Sequence, residues 1–99
     1  LNVFIPNLFT PNGDGSNDVF KAYGYGFQEN IEFKIYNRWN RVVYEANTFS
    51  ALKDLGWDGN FNGEEQPDGV YIWILYATDL NGQINPKEEL MKGTLLLNR

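Results

Sequence analysis

The sequence contains no cysteine and no histidine. Without cysteine there is no disulfide framework and no thiol chemistry. Without histidine the chain lacks the usual general base at neutral pH and the commonest transition-metal ligand. Serine is scarce as well, with Ser16 and Ser50 alone, so no nucleophile–base set of the usual kind can be assembled. Basic residues are few: 8 Lys and Arg against 13 Asp and Glu, a net charge of −5. That balance disfavours nucleic acid, whose phosphates would be repelled, and an anionic membrane surface. No apolar run is long enough to span a bilayer as a helix, and no membrane insertion is expected. No glycine-rich loop has P-loop or dinucleotide spacing. Thirteen acids leave a glycosidase-style carboxylate pair open by count, but they fall in turns and on polar faces, with no obvious cleft. Lack of cysteine does not fix the compartment, so export stays open. The chain opens on Leu1, and an export signal of the N-terminal kind is expected upstream of it.

What the chain does have is aromatic and apolar mass. It is 99 residues long, 42% hydrophobic and 16% aromatic, with ten glycines. One domain of common size, residues 1–99, can bury a core without covalent staples, and this composition leans towards β structure. "VFIPNLF", broken by Pro6, reads as an edge strand or an extended entry segment. "DVFKAYGYG" reads as a strand ending at Gly24. "IEFKIYN" sets Ile31, Phe33 and Ile35 against Glu32, Lys34 and Tyr36, the period of a half-buried strand. "RVVYEA" follows after the short "NRWN", completing a hairpin. Any helical turn around Ala51 to Leu55 is expected to be too short to matter. "VYIWILYATDL" is apolar on both faces and reads as a central strand covered on both sides. "LMKGTLLLNR" makes a final strand. Six or seven short strands with turn signals between them, and no long helix, predict an all-β, immunoglobulin-like antiparallel β-sandwich of about seven strands.

Three places draw a chemical question. In "FTPNGDGSNDVF", Asn12, Asp14, Ser16 and Asp18 alternate, with Gly13 and Gly15 between them. Oxygen ligands at alternate positions around a glycine turn are how calcium loops are built. No bidentate glutamate follows at the required place, and an Asx-rich turn bonding its own backbone explains the same residues. Calcium is thus the one ion the sequence suggests. At the hairpin tip, Trp39 is either an exposed platform or folded back over the sandwich edge; folding back is expected, because large aromatics usually bury. Arg38 and Arg41 flank it, as docking groups for a partner carboxylate or as a solvated face. Trp57, in "GWDG", is expected to pack in the core beside a tight bend, against the alternative of a carbohydrate platform.

In this order, "FTPNGDGSNDVF", "FKIYNRWNRVVYE", "GWDGNFNG", "QPDGVYIWIL" and "KGTLLLNR" run through nearly the whole chain. Together they resemble the gliding motility-associated C-terminal domain of Bacteroidetes proteins, the type B sorting domain of the type IX secretion system. The family usually has glycine after "RW" where this chain has Asn40, a residue that tolerates the left-handed conformation. The "NGQINPKEELM" loop is longer than the family leads one to expect, which loosens the register of the last strand.

The resemblance implies a non-catalytic C-terminal secretion signal. Such a domain folds in the periplasm in transit. The type IX translocon, with PorP-like outer-membrane proteins, recognises it and passes a large cargo to the cell surface or beyond. Cargo of this class includes adhesins, enzymes and gliding-motility proteins. A folded signal must be read as a shape, through loops and an edge strand on a rigid scaffold. The expected recognition surface is the last strand, Lys92, Gly93, Thr94, Leu95, Leu96, Leu97, Asn98 and Arg99, with the "NGDG" loop or the Arg38 hairpin beside it. The isolated domain is expected to be a monomer. The competing reading is a calcium-dependent carbohydrate- or protein-binding module on the same sandwich.

Overall fold

Alternation in the sequence becomes alternation of burial. In the computed structural model, which describes residues 2–11, 13, 18–25, 28–79 and 87–99, Ile31, Phe33 and Ile35 are buried while Glu32 faces out. The described strands are β1 (Asn2–Phe4), β2 (Leu8–Phe9), β3 (Tyr23–Tyr25), β4 (Asn30–Tyr36), β5 (Val42–Thr48), β6 (Asn60–Phe61), β7 (Glu64–Glu65), β8 (Gly69–Asp79) and β9 (Lys87–Leu97). Five of them form one sheet in the order β2-β9-β8-β4-β5. Two ribbons, β1–β3 and β6–β7, and the irregular backbone around Phe20 and Trp57 lie outside that sheet. The all-β sandwich expected from the sequence is what forms. One pairing departs from the antiparallel pattern: β2 runs parallel to β9, with Leu8 opposite Leu96 and Phe9 opposite Leu97.

The expected hairpin is β4–β5, with Lys34 opposite Glu45 and Ile35 opposite Tyr44. The strand expected through "DVFKAYGYG" is shorter than its pattern. Phe20 and Ala22 are fully buried, and Phe20 makes only an isolated bridge to Trp57, exchanging both backbone hydrogen bonds at 2.8 and 2.9 Å. Only Tyr23–Tyr25 continue as strand, in the ribbon with β1. A helical turn is present at Ala51–Leu55 and, short as it is, drives Leu52 into the core. The last strand is longer than "LMKGTLLLNR" suggested. It begins at Lys87 and pairs with β8 over eleven residues, from Asp79 opposite Lys87 to Gly69 opposite Leu97.

The central strand is β8, between β9 and β4, as its composition predicted. Its second face is not covered in the way predicted. Tyr71, Trp73, Leu75 and Ala77 are buried, whereas Val70, Ile72 and Tyr76 are exposed. An apolar run on both faces signals β propensity as well as burial, and here one face remains at the surface.

Between the inner sheet face and the cover segments sits an aromatic core. Trp57 lies 5.4 Å from both Phe9 and Tyr71, ring centre to ring centre, and Phe33 stacks between Phe20 and Trp73 at 6.1 Å. Trp57 was expected in the core, and its Nε1–H donates to the Asn60 carbonyl at 2.9 Å. Gly56, at φ +67°, lets the chain pass: a Cβ there would stand 2.2 Å from the Phe20 carbonyl oxygen.

Candidate recognition surface

The two faces of β9 do different work. Gly93, Leu95 and Leu97 point inward, the two leucines fully buried, while Lys92, Thr94, Leu96 and Asn98 point out. Of the eight residues expected to form a recognition strand, then, only the outward four offer side chains to a partner without opening the core. The backbone edge of β9 is divided as well. The Leu96 N–H donates to the Asn7 carbonyl at 2.8 Å and the Asn98 N–H to the Phe9 carbonyl at 3.1 Å, so β2 occupies that edge from Leu96 onward. Among the described residues, no strand pairs with the side of β9 away from β8 over Lys87–Leu95.

Arg99 turns back onto its own fold. Its guanidinium donates to the Gln66 carbonyl and, at 3.1 Å, to the Gly59 carbonyl. It also lies 3.6 Å from carboxylate oxygens of Glu65 and Asp68. This side chain clamps the loops around β6 and β7; it does not reach out as a free cation.

Arg38 sits on a tightly built turn. The Asn37 Oδ1 accepts from the Trp39 N–H at 2.9 Å and the Arg41 N–H at 3.0 Å. The Asn40 N–H donates to the Asn37 carbonyl, and Asn40 takes the left-handed conformation at φ 61°. Asparagine thus does here what glycine does elsewhere. The turn holds Trp39 out in solvent, 67% exposed, which corrects the expectation that it folds back over the edge. The Arg38 guanidinium covers one side of the indole, 4.6 Å from its ring centre. The asparagines flanking Arg38 and Trp39 were the available signal, since a self-satisfied Asx turn holds its tip away from the core.

Of the proposed calcium ligands, Asn12, Asp14 and Ser16 lie outside the described residues. The fourth, Asp18, accepts the Gly13 N–H at 3.0 Å across the loop, as a turn would have it do. Among the described residues, no three acidic side chains converge. The ionisable groups that shift have local causes. The hydrogen bond from Lys34 to Glu32 raises the lysine, which also faces Glu45 at 3.9 Å. Burial pushes the Tyr44 and Tyr71 hydroxyls up. The Tyr71 hydroxyl donates to the Pro67 carbonyl at 2.6 Å and so fixes the loop facing Trp39.

A family model described as the CHU_C type IX secretion signal domain matches residues 3–97. The chain belongs to that family. The CHU_C match spans every strand described above except for Asn2 at the start of β1, in keeping with the landmarks of the sequence. No curated protein matches the chain significantly. Among solved structures, similarity is found to PorZ of Porphyromonas gingivalis, described as an essential bacterial surface component of the type-IX secretion system. The TM-score is 0.56 at 19% identity, over 98% of this chain and 11% of PorZ. This CHU_C domain therefore spans about a ninth of that relative's length, and the likeness is one of fold.

Proposed function

We propose that this domain is the C-terminal signal of a larger cargo protein, read as a folded shape by the type IX translocon and PorP-like outer-membrane proteins after passage into the periplasm. The cargo is delivered to the cell surface or released, and the domain performs no chemistry of its own. The observation that carries the reading is the outward row of β9, Lys92, Thr94, Leu96 and Asn98, held rigid because its inward neighbours Leu95 and Leu97 are in the core. Recognition on such a scaffold uses loops and strand edges positioned by packing.

The test is a fluorescent reporter fused ahead of the domain, expressed with its own export leader in a bacterium with a working type IX system. The reporter is expected on the surface or in the medium, and inside the cell when the translocon is disabled. A full-length fusion retained inside a translocon-competent cell would sink the proposal.

A further inference from the structure

We propose that the cleft between Trp39 and Val70 is a docking site for a partner-protein segment that carries an apolar side chain next to a carboxylate. The proposal rests on the secretion-signal reading and names the chemistry of the partner. Four observations carry it.

The first is exposure on a rigid mount. Trp39 is 67% exposed and Val70 58%, and both line one cleft of about 40 Å³ together with Pro67 and Tyr71. The Asn37 hydrogen bonds hold one wall and the Tyr71–Pro67 hydrogen bond the other. A large aromatic kept out of the core on a preorganised turn costs little ordering when a partner buries it, which is the character of an interface anchor.

The second is charge. Among the described residues, Lys34 and Arg99 each face two carboxylates, whereas Arg38 has no ion-pair partner. Its guanidinium lies over the indole at 4.6 Å, a stacked position that leaves its N–H fork open to a carboxylate. The third is that the acid in the cleft does not cancel this cation. Asp68 is held by Arg99, through the side chain at 3.6 Å and the backbone N–H at 3.3 Å.

The fourth is continuity. Val70 stands opposite Leu96, and Leu96 opposite Leu8, all on the outer face and all exposed. An apolar track thus runs from the cleft onto the last strand. One partner surface can engage both, with its apolar residue in the cleft and its acid on Arg38.

The experiment uses the reporter fusion with Trp39→Ala, Arg38→Glu and Arg38→Lys, and checks the 99-residue chain of each variant by thermal melting. Trp39→Ala and Arg38→Glu are expected to cut export about tenfold, the loss typical of removing an interface anchor, with the melting midpoint unchanged. Arg38→Lys, which keeps the charge, is expected to retain more export than Arg38→Glu. Folded Trp39→Ala and Arg38→Glu variants exported at the wild-type level would overturn the site and leave the secretion reading standing. If the wild-type fusion itself stays inside, both fall together. Two further outcomes also overturn it by naming another occupant. One is a dimer of the 99-residue chain in sedimentation velocity that Trp39→Ala dissolves. The other is quenching of indole emission by cellohexaose that the same substitution abolishes.

Discussion

Trp73 lies across Gly93. The two are opposite each other in the β8–β9 register, and a Cβ on residue 93 would stand 2.7 and 2.9 Å from indole carbons. The indole cannot easily give way, because its other neighbour is Phe33, stacked at 6.1 Å and 25°. Gly93→Ala is therefore an overpacking change, expected to cost about 1–3 kcal/mol. In a domain of this size each kcal/mol lowers the midpoint by roughly 4–8 °C. Thermal melting followed by circular dichroism reads it directly, and a midpoint that does not move would show that the indole has room to shift. "LMKGTLLLNR" could be read as a strand from its composition, but the reason for its glycine could not. The residue that needs the space is twenty positions away, and only the register brings it there. Trp39 was misjudged for a related reason. The general tendency of tryptophan to bury was outweighed by a local device, the paired hydrogen bonds to Asn37.

At the scale of elements, one carboxylate joins the start of β4 to the end of β5. The Glu29 carbonyl accepts the Phe49 N–H at 2.8 Å, and its side chain accepts the Ser50 N–H just before the helical turn at Ala51–Leu55. The hydrogen bonds from Ser50 lower the carboxyl below its ordinary value of 4.5, with a smaller contribution from Lys53. A lowered folded-state pKa means the charged form is favoured by folding. Its stabilisation is present in full above 4.5 and is lost as pH falls through the lowered value. Glu29→Gln keeps an oxygen to accept the Ser50 N–H but removes the charge. Wild type is expected to melt above this variant at pH 7, with the gap closing as the pH drops below the ordinary carboxyl value. A gap of constant size from neutral to strongly acid solution would refute the assignment. None of this connection is visible in "FQEN" or "NTFS" taken separately. The hairpin itself was legible, because strict alternation from Ile31 to Tyr36 specifies both the strand and its buried face. The outer face of β8 was not, because valine, isoleucine and tyrosine suit a strand whether or not they are covered.

For the molecule as a whole, the two ends of the chain are stitched together. β2, eight residues from the start, pairs with the last two residues of β9, and Phe9 packs on Trp57 and Phe20. Such long-range closure has to be made before the core rewards it, so folding is expected to be slow and all-or-none. Removing Lys92–Arg99 deletes Leu95 and Leu97, both fully buried, together with the partner of β2 and the clamp of Arg99. Each buried leucine is worth about 2–5 kcal/mol against a total stability of about 5–15 kcal/mol. The truncated chain is expected to show no cooperative melt, whereas Leu96→Ala, on the outer face, should stay within roughly 0.5 kcal/mol of wild type. A cooperative transition in the truncated chain would separate the last strand from the folding unit. If the expectation holds, a secretion defect caused by deleting the strand reports loss of the fold, and contact residues have to be found by outward substitutions.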